Sequence, residues 1–145
     1  MAYFIYNGNN IIYIAANDSD KDCLPLVDSY TVKDVSDSDF QKVRKQTSQT
    51  YLDGGNVIIE DCEQTAPRYQ TENDLKSYHE NLIAKINIFL SVPSNSSKSI
   101  YSSIENYKNY LEGFDYNSIT LPTTKTWEEY CADNSITYIS PLQIP

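Results

Sequence analysis

The chain has 145 residues and a formal net charge of −9, with 20 acidic side chains against 11 basic ones. Binding to a phosphate backbone gains free energy when Lys and Arg displace counterions, so this balance argues against nucleic acid and against an anionic membrane surface as partners. With 40% hydrophobic residues, the chain is long enough for a real core, in one domain or in two closely packed lobes.

The cysteines are typical of free buried thiols in a reducing compartment, with an intermolecular disulfide as the less favoured alternative. Cys23, Cys62 and Cys131 are odd in number and far apart, whereas disulfide frameworks need pairs and zinc knuckles need close spacing. The longest apolar stretch, residues 81–92, is interrupted by Asn and Lys and is too short for a bilayer. The first ten residues lack the basic and apolar regions of a secretory signal. We therefore expect free thiols and no membrane partner.

The first part of the chain predicts two β-hairpins and a third strand. Asn7-Gly8-Asn9-Asn10 separates two runs of β-branched and aromatic residues, the arrangement of a tight hairpin turn. Asp53-Gly54-Gly55-Asn56 predicts a second hairpin for the same reason. Between them, residues 17–29 are expected to form a polar loop, and residues 30–36 predict a strand.

A short helix is predicted between the third strand and the second hairpin. Ser36 followed by Asp39 has the spacing of a helix N-cap. Phe40 and Val43 then lie three residues apart, on one face of that helix. Residues 1–66 are thus expected to fold as a small antiparallel sheet with a helix across it, or as a compact meander.

Residues 67–145 predict a helical lobe that begins after a hinge near Ala66-Pro67. Thr71 with Asp74 matches a capping box, and the helix that it starts is expected to run to about Ser91. Its apolar positions are spaced three or four residues apart and form one stripe: Leu75, Tyr78, Leu82, Ile86 and Phe89.

Two further elements are predicted towards the end of the chain. Residues 99–113 predict a second helix that ends at Gly113, so that the two long helices form an antiparallel hairpin. Thr126 with Glu129 predicts a short third helix, and residues 135–140 are expected to form a final strand. The predicted fold class is therefore α+β, with a β-rich lobe at residues 1–66 and a helical lobe at residues 67–145.

Several kinds of reactive site are poorly supported by the sequence. His79 is the only histidine and has neither a nucleophile nor an orienting carboxylate in its neighbourhood, so we expect it at the surface. Only four glycines are present, whereas phosphate-binding loops need several at fixed offsets. We expect no catalysis, no metal and no cofactor. An enzyme whose site is assembled from distant residues is the least favoured alternative.

One acidic stretch has the beginning of a calcium-binding loop. Asp18, Asp20 and Asp22 alternate as at the start of an EF-hand, but Cys23 and Ser29 stand where that loop needs Gly and Glu. A solvated acidic loop is the favoured interpretation. Whether these three carboxylates bind an ion is left open.

The last twenty residues contain the only tryptophan. Trp127 and Tyr130 lie three apart on one face of the short helix, and Leu142 and Ile144 follow in an extended end. Trp and Tyr are enriched among the residues that dominate binding interfaces, so these four residues are the candidate partner-binding site. The alternative is that the tail packs on the preceding helical hairpin, because a short helix is stable only when packed.

The order of features resembles that of tail-fibre assembly chaperones and related small tail-associated proteins of tailed bacteriophages. The matching residues lie near the end of the chain: Asp115-Tyr116, Pro122, Trp127, Tyr130 and the final residues 141–145. The opening strands are similar in character to those of such proteins. Where that family has an arginine and a further basic pair after the tyrosine, this chain has Cys131, Ala132 and Asp133.

The resemblance implies a non-catalytic protein that binds a phage tail or tail-fibre protein and acts in its assembly or attachment. Such a chaperone covers apolar surface or an unpaired strand edge of its client until the fibre is assembled. It would work in the host cytoplasm during assembly, and its retention on the virion is left open. A permanent virion subunit, such as a decoration, connector or adaptor protein, is the alternative, and self-association of the chain is also left open.

Overall fold

The computed structural model describes residues 1–62 and 69–145. The chain divides into two compact units, residues 1–66 and residues 67–144, called here the N-terminal unit and the C-terminal unit. Strands and two short helices form the first unit, and the longer helices lie in the second, so the predicted α+β class is confirmed. The hinge predicted near Ala66-Pro67 lies outside the described residues.

Antiparallel strands form the sheet of the N-terminal unit. They are β1 (Ala2–Asn7), β2 (Asn10–Ala15), β3 (Tyr30–Val35), β4 (Ser48–Asp53) and β5 (Asn56–Asp61). Their order across the sheet is β3-β1-β2-β4-β5. Strands β3 and β5 therefore form the two edges of the sheet.

Both predicted hairpins are present, and the turn residues explain the second one. Asp53 pairs with Asn56 across a two-residue turn, in which Gly54 has a φ of 58° and Gly55 a φ of 82°. A type I′ turn needs positive φ at both central residues, and Gly adopts it without steric cost. The turn thereby fixes the register of β4 against β5 and directs Leu52 into the core.

Strand β1 is the centre of the N-terminal unit. Phe4, Ile5 and Tyr6 are all fully buried, and because successive side chains of a strand point to opposite faces, both faces of the sheet are covered here. Helix α2 (Asp37–Arg44) packs on β1 and buries Phe40 and Val43, as predicted.

The segment predicted as a polar loop contains a short helix, α1 (Asp18–Asp22). The side chain of Asn17 caps it by accepting a hydrogen bond of 2.9 Å from the Asp20 amide, and the carboxylates in its first turn complement the positive end of the helix. The sequence prediction missed α1 because its five residues bury no side chain, so no apolar stripe marks them.

The C-terminal unit contains helices α3 (Glu72–Leu90), α4 (Tyr101–Glu112) and α5 (Trp127–Asp133), with 3₁₀ turns at Pro93–Ser97, Tyr116–Ser118 and Pro141–Gln143. The predicted capping box of α3 is confirmed in both directions, since the amide and the side chain of Thr71 each make a hydrogen bond of 3.1 Å with Asp74. Helices α3 and α4 pack together as the predicted hairpin.

The prediction of a final strand at residues 135–140 is wrong. Residues 136–140 form no regular structure, although Tyr138, Ile139 and Ser140 are buried. The first two join the hydrophobic core of the helices. The apolar side chains of Tyr138 and Ile139 are buried, but a strand also needs a neighbouring strand, and the described strands all belong to the N-terminal unit.

Candidate functional site

The structure places the four predicted partner-binding residues at different depths. Trp127 is 2% exposed and Ile144 is 0% exposed, whereas Tyr130 and Leu142 are half-buried. The side chains of Trp127 and Ile144 belong to the hydrophobic core of the C-terminal unit. A role of the four residues in binding a partner stays a prediction.

The indole of Trp127 lies inside a cluster of aromatic side chains. Its N–H donates a hydrogen bond of 2.8 Å to the hydroxyl of Tyr107, so its polar atom has a partner within the core. The ring stacks on Tyr130 with 5.4 Å between centroids and 14° between planes, and Phe114 meets it edge-on at 5.3 Å. Helix α5 is thus fixed to its unit by ring packing.

His79 is buried in the same cluster, and its predicted surface position is wrong. The side chain is 1% exposed and its ring centroid lies 4.4 Å from that of Trp127. Its Nδ1 is 3.0 Å from the hydroxyl of Tyr116. Burial lowers the pKa of His79 from 6.5 to about 4, so the imidazole is neutral at neutral pH.

A signal in the sequence could have found this position. Leu75, His79, Leu82 and Ile86 follow one another at intervals of four, three and four residues, and all four are buried. His79, not the half-buried Tyr78, therefore occupies the centre of the stripe. Tyr78 was assigned to the stripe by its spacing of three and four residues from Leu75 and Leu82, and this left His79 at the predicted surface.

The chemistry available in this cluster is that of neutral groups. Burial raises the pKa values of Tyr69, Tyr78 and Tyr107 far above the ordinary value of 10, so these phenols stay protonated beside a neutral imidazole. General base catalysis needs a base within hydrogen-bond reach of its proton, and nucleophilic catalysis needs an activated nucleophile. Within residues 69–145, the contacts of His79 are aromatic rings and one tyrosine hydroxyl, and its buried Nε2 has no hydrogen-bond partner there.

The final residues are attached to α3 by hydrogen bonds as well as by apolar contacts. Lys85 Nζ donates a hydrogen bond of 2.6 Å to the carbonyl of Pro141, and its partial burial lowers the pKa of the ammonium group. Ser140 and Gln143 cap the last 3₁₀ turn reciprocally. The tail therefore folds back onto its own unit, which is the alternative that the sequence left open.

The acidic stretch at residues 18–22 does not form the calcium-binding loop that its alternating aspartates suggest. The hydroxyl of Tyr3 donates to Asp18, and Lys21 Nζ lies 3.8 Å from that carboxylate and 4.3 Å from the Tyr3 ring centroid. The hydrogen bond to Asp18 raises the pKa of Tyr3 to about 12. A helix directs Asp20 away from the face that Asp18 and Asp22 share, so the extended loop of an EF-hand is not formed.

Exposed apolar side chains lie beside one edge of the sheet. Val32 is 40% exposed on β3, and Leu26 and Val27 are 37% and 53% exposed in the segment before it. The Tyr30 amide donates to the Val27 carbonyl at 3.0 Å, which holds this segment against the start of the strand. Among the described strands, β3 pairs with β1 alone. We call this set of three side chains and the outer backbone of β3 the β3-edge surface; the sequence analysis did not single it out.

No protein-family model matches the chain, and neither a curated protein nor a solved structure shows significant similarity to it. Within residues 1–62 and 69–145, no three His, Cys, Asp or Glu side chains come together as a metal ion would require. The helices in the same part of the chain include none with the length and apolarity to cross a membrane.

Proposed function

We propose that this chain is a non-catalytic binding protein of a tailed bacteriophage that acts in tail or tail-fibre assembly or attachment. The observation that carries the binding part of the proposal is the β3-edge surface. The phage assignment rests on the resemblance of the late aromatic and proline residues to tail-fibre assembly chaperones.

An unpaired strand edge can bind another chain by adding a strand. Its free N–H and C=O groups supply main-chain hydrogen bonds, and neighbouring apolar side chains add contact area and specificity. On β3, Val32 is the Cα partner of the buried Ile5, so a client strand beside β3 would extend an existing apolar face. Leu26 and Val27 precede β3, in the segment that the Tyr30–Val27 hydrogen bond holds at the start of the strand.

The charge of the chain fits such a role. Asp28 and Asp34 flank the exposed apolar residues in the sequence, and the chain as a whole carries −9. Like charges keep free copies apart and soluble, which a protein with exposed apolar side chains needs. The preferred client is therefore an apolar strand with neutral or basic flanks.

Co-expression with a candidate client, the tail-fibre protein of a tailed bacteriophage, tests the proposal. We expect the yield of soluble fibre trimer to rise several-fold when the chain is present. Val32→Lys places a charge on the β3-edge surface and should abolish that gain while leaving the melting temperature unchanged. Ile88→Lys is the matched control, because Ile88 is 70% exposed on α3 and lies in the other unit.

Two results would contradict the proposal. One is a trimer yield that does not depend on the chain; the other is an equal loss with Val32→Lys and Ile88→Lys. Mass spectrometry of purified particles distinguishes the alternative role. A fixed stoichiometric amount in the virion indicates a permanent structural subunit, whereas its absence indicates a chaperone that leaves before the particle is complete.

A further inference from the structure

A cavity of about 210 Å³ lies between α4 and the segment that follows α5. Helix α4 contributes four residues at the spacing of a single helix face, Ser103, Asn106, Tyr107 and Tyr110. The other wall is the segment 135–137. The volume is below the usual range for drug-sized ligands, so the cavity suits a molecule with one ring.

The aromatic side of the cavity is held in place by Trp127. The hydroxyl of Tyr107 accepts the indole N–H at 2.8 Å, and Tyr107 is 3% exposed. The ring of Tyr110 stacks on the indole with an interplanar angle of 27°. A ligand would therefore meet two phenol rings that are already ordered, which reduces the entropy lost on binding.

The opposite wall is set by the way in which α5 ends. The Ser135 amide bonds to the Ala132 carbonyl at 3.2 Å and the Ile136 amide to the Cys131 carbonyl at 2.8 Å, the hydrogen bonds of a Schellman motif. Ser135 has a φ of 58°, in the left-handed region where this motif usually places Gly. The motif therefore fixes residues 135–137, which form this wall, against the end of α5.

The lining contains no charged side chain, in a chain of which 21% of residues are charged. Its polar groups are the hydroxyls and amide of Ser103, Asn106, Ser135 and Thr137, which donate and accept hydrogen bonds without carrying charge. Two aromatic rings with neutral donors and acceptors around them match a ring that has apolar C–H faces and hydroxyl edges.

We propose that this cavity binds an uncharged monosaccharide unit, as a free sugar or as the end of a glycan. The sugar ring packs against Tyr110, and its hydroxyls bond to Asn106 and to the hydroxyl groups of the rim. A single small ring with a few hydrogen bonds gives weak binding, with a dissociation constant on the order of millimolar.

The structure supplies its own reporter for this site. Trp127 is the only tryptophan, and its indole contacts both Tyr107 and Tyr110. The single indole N–H resonance in a ¹H–¹⁵N spectrum, and the tryptophan fluorescence, should therefore change when the cavity is filled. The titration uses the methyl glycosides of glucose, galactose and N-acetylglucosamine, with glucuronate, cyclohexanol and tyrosinamide as comparison compounds.

Asn106→Ala and Asn109→Ala form a matched pair for the test. Both asparagines are exposed on α4, but only Asn106 lines the cavity. We expect at least one of the neutral glycosides to give a saturable shift of the indole resonance. Its dissociation constant should rise about tenfold in Asn106→Ala, the usual effect of one lost hydrogen bond, and stay unchanged in Asn109→Ala.

Three outcomes would overturn the assignment. The first is no shift with any of the glycosides at tens of millimolar, and the second is an equal loss in both asparagine variants. The third is a response to cyclohexanol or tyrosinamide alone, which would indicate an apolar or peptide ligand. The cavity lies in the C-terminal unit and the β3-edge surface in the N-terminal unit, so Val32→Lys separates this inference from the proposed function.

Discussion

The aromatic cluster of the C-terminal unit and the β3 edge of the N-terminal unit place their apolar side chains differently. In the C-terminal unit the aromatic rings converge on Trp127 and His79, and even the last residues fold inward so that Ile144 is fully buried. In the N-terminal unit the strand β3 leaves Val32 exposed beside an open edge. A sheet necessarily ends in unpaired strands, whereas helices satisfy their own backbone and can close around a cluster. We infer that the aromatic cluster contributes most to the stability of the C-terminal unit, and we propose the sheet edge as the surface for a protein partner.

The role of the aromatic cluster in stability is tested most directly by removing the tryptophan. Trp127→Ala deletes a fully packed ring and leaves the Tyr107 hydroxyl without its indole donor. We expect the free energy of unfolding to fall by about 3–5 kcal/mol, measured by urea denaturation followed by far-UV circular dichroism. Tyr130→Ala, which removes a half-buried ring, should cost less. If Trp127→Ala melts like the native protein but loses a partner, the indole is an interface residue after all.

A pH titration tests the buried imidazole. The unfolded chain binds the proton of His79 with the ordinary pKa of 6.5, and the folded protein binds it with a pKa of about 4. The unfolded state therefore carries more protons between these two values, and the stability of the fold decreases as the pH falls from about 6.5 to about 4. Above pH 6.5 this contribution is constant.

The expected size of the histidine effect is roughly 3 kcal/mol. Carboxylates also titrate at the lower end of this range, so the measurement is the difference between the native protein and His79→Phe, which keeps an aromatic ring but cannot take up a proton. The native protein should lose more stability than the variant between pH 7 and pH 4. Parallel pH profiles would mean that the imidazole binds its proton with the same pKa in the folded and the unfolded state.

Lys85→Met tests whether residues 140–144 are held mainly by the hydrogen bond from Lys85 or by their apolar contacts. The substitution removes the donor to the Pro141 carbonyl and keeps an unbranched side chain of similar length. We expect a loss of about 1–2 kcal/mol and faster amide hydrogen exchange in residues 140–144. Unchanged exchange in that segment would show that Tyr138, Ile139 and Ile144 hold the tail without the lysine.

The smallest expected effect lies at two helix ends, one in each unit. Gln46 after α2 and Ser135 after α5 have φ values of 61° and 58°, and both follow the hydrogen-bond pattern of a Schellman motif. Gly adopts this conformation without strain. Ser135→Gly should therefore raise the free energy of unfolding by up to about 1 kcal/mol, and the melting temperature should rise slightly with it. Gln46→Gly provides the comparison in the N-terminal unit. A lower melting temperature with Ser135→Gly would show that the serine hydroxyl stabilises the fold by more than the backbone strain destabilises it.

The candidate site could be only partly predicted from the sequence. The spacing of Trp127 and Tyr130 placed their rings on one face, and the two rings do stack. Which of them faces solvent depended on the positions of Phe114 and Tyr107, which lie 13 and 20 residues away from Trp127 along the chain. The β3-edge surface was missed for a similar reason, since the order of strands decides which one is left without a partner.

The sequence by itself determined the features that depend on a few adjacent residues. The glycines of the Asp53-Gly54-Gly55-Asn56 turn and the cap at Thr71 act through the local backbone, so the second hairpin and the start of α3 follow from them. The tertiary structure alone decided which aromatic rings enclose His79 and that residues 136–140 are packed without being a strand. Burial and strand pairing depend on surfaces contributed by distant parts of the chain, and these come together only when the chain folds.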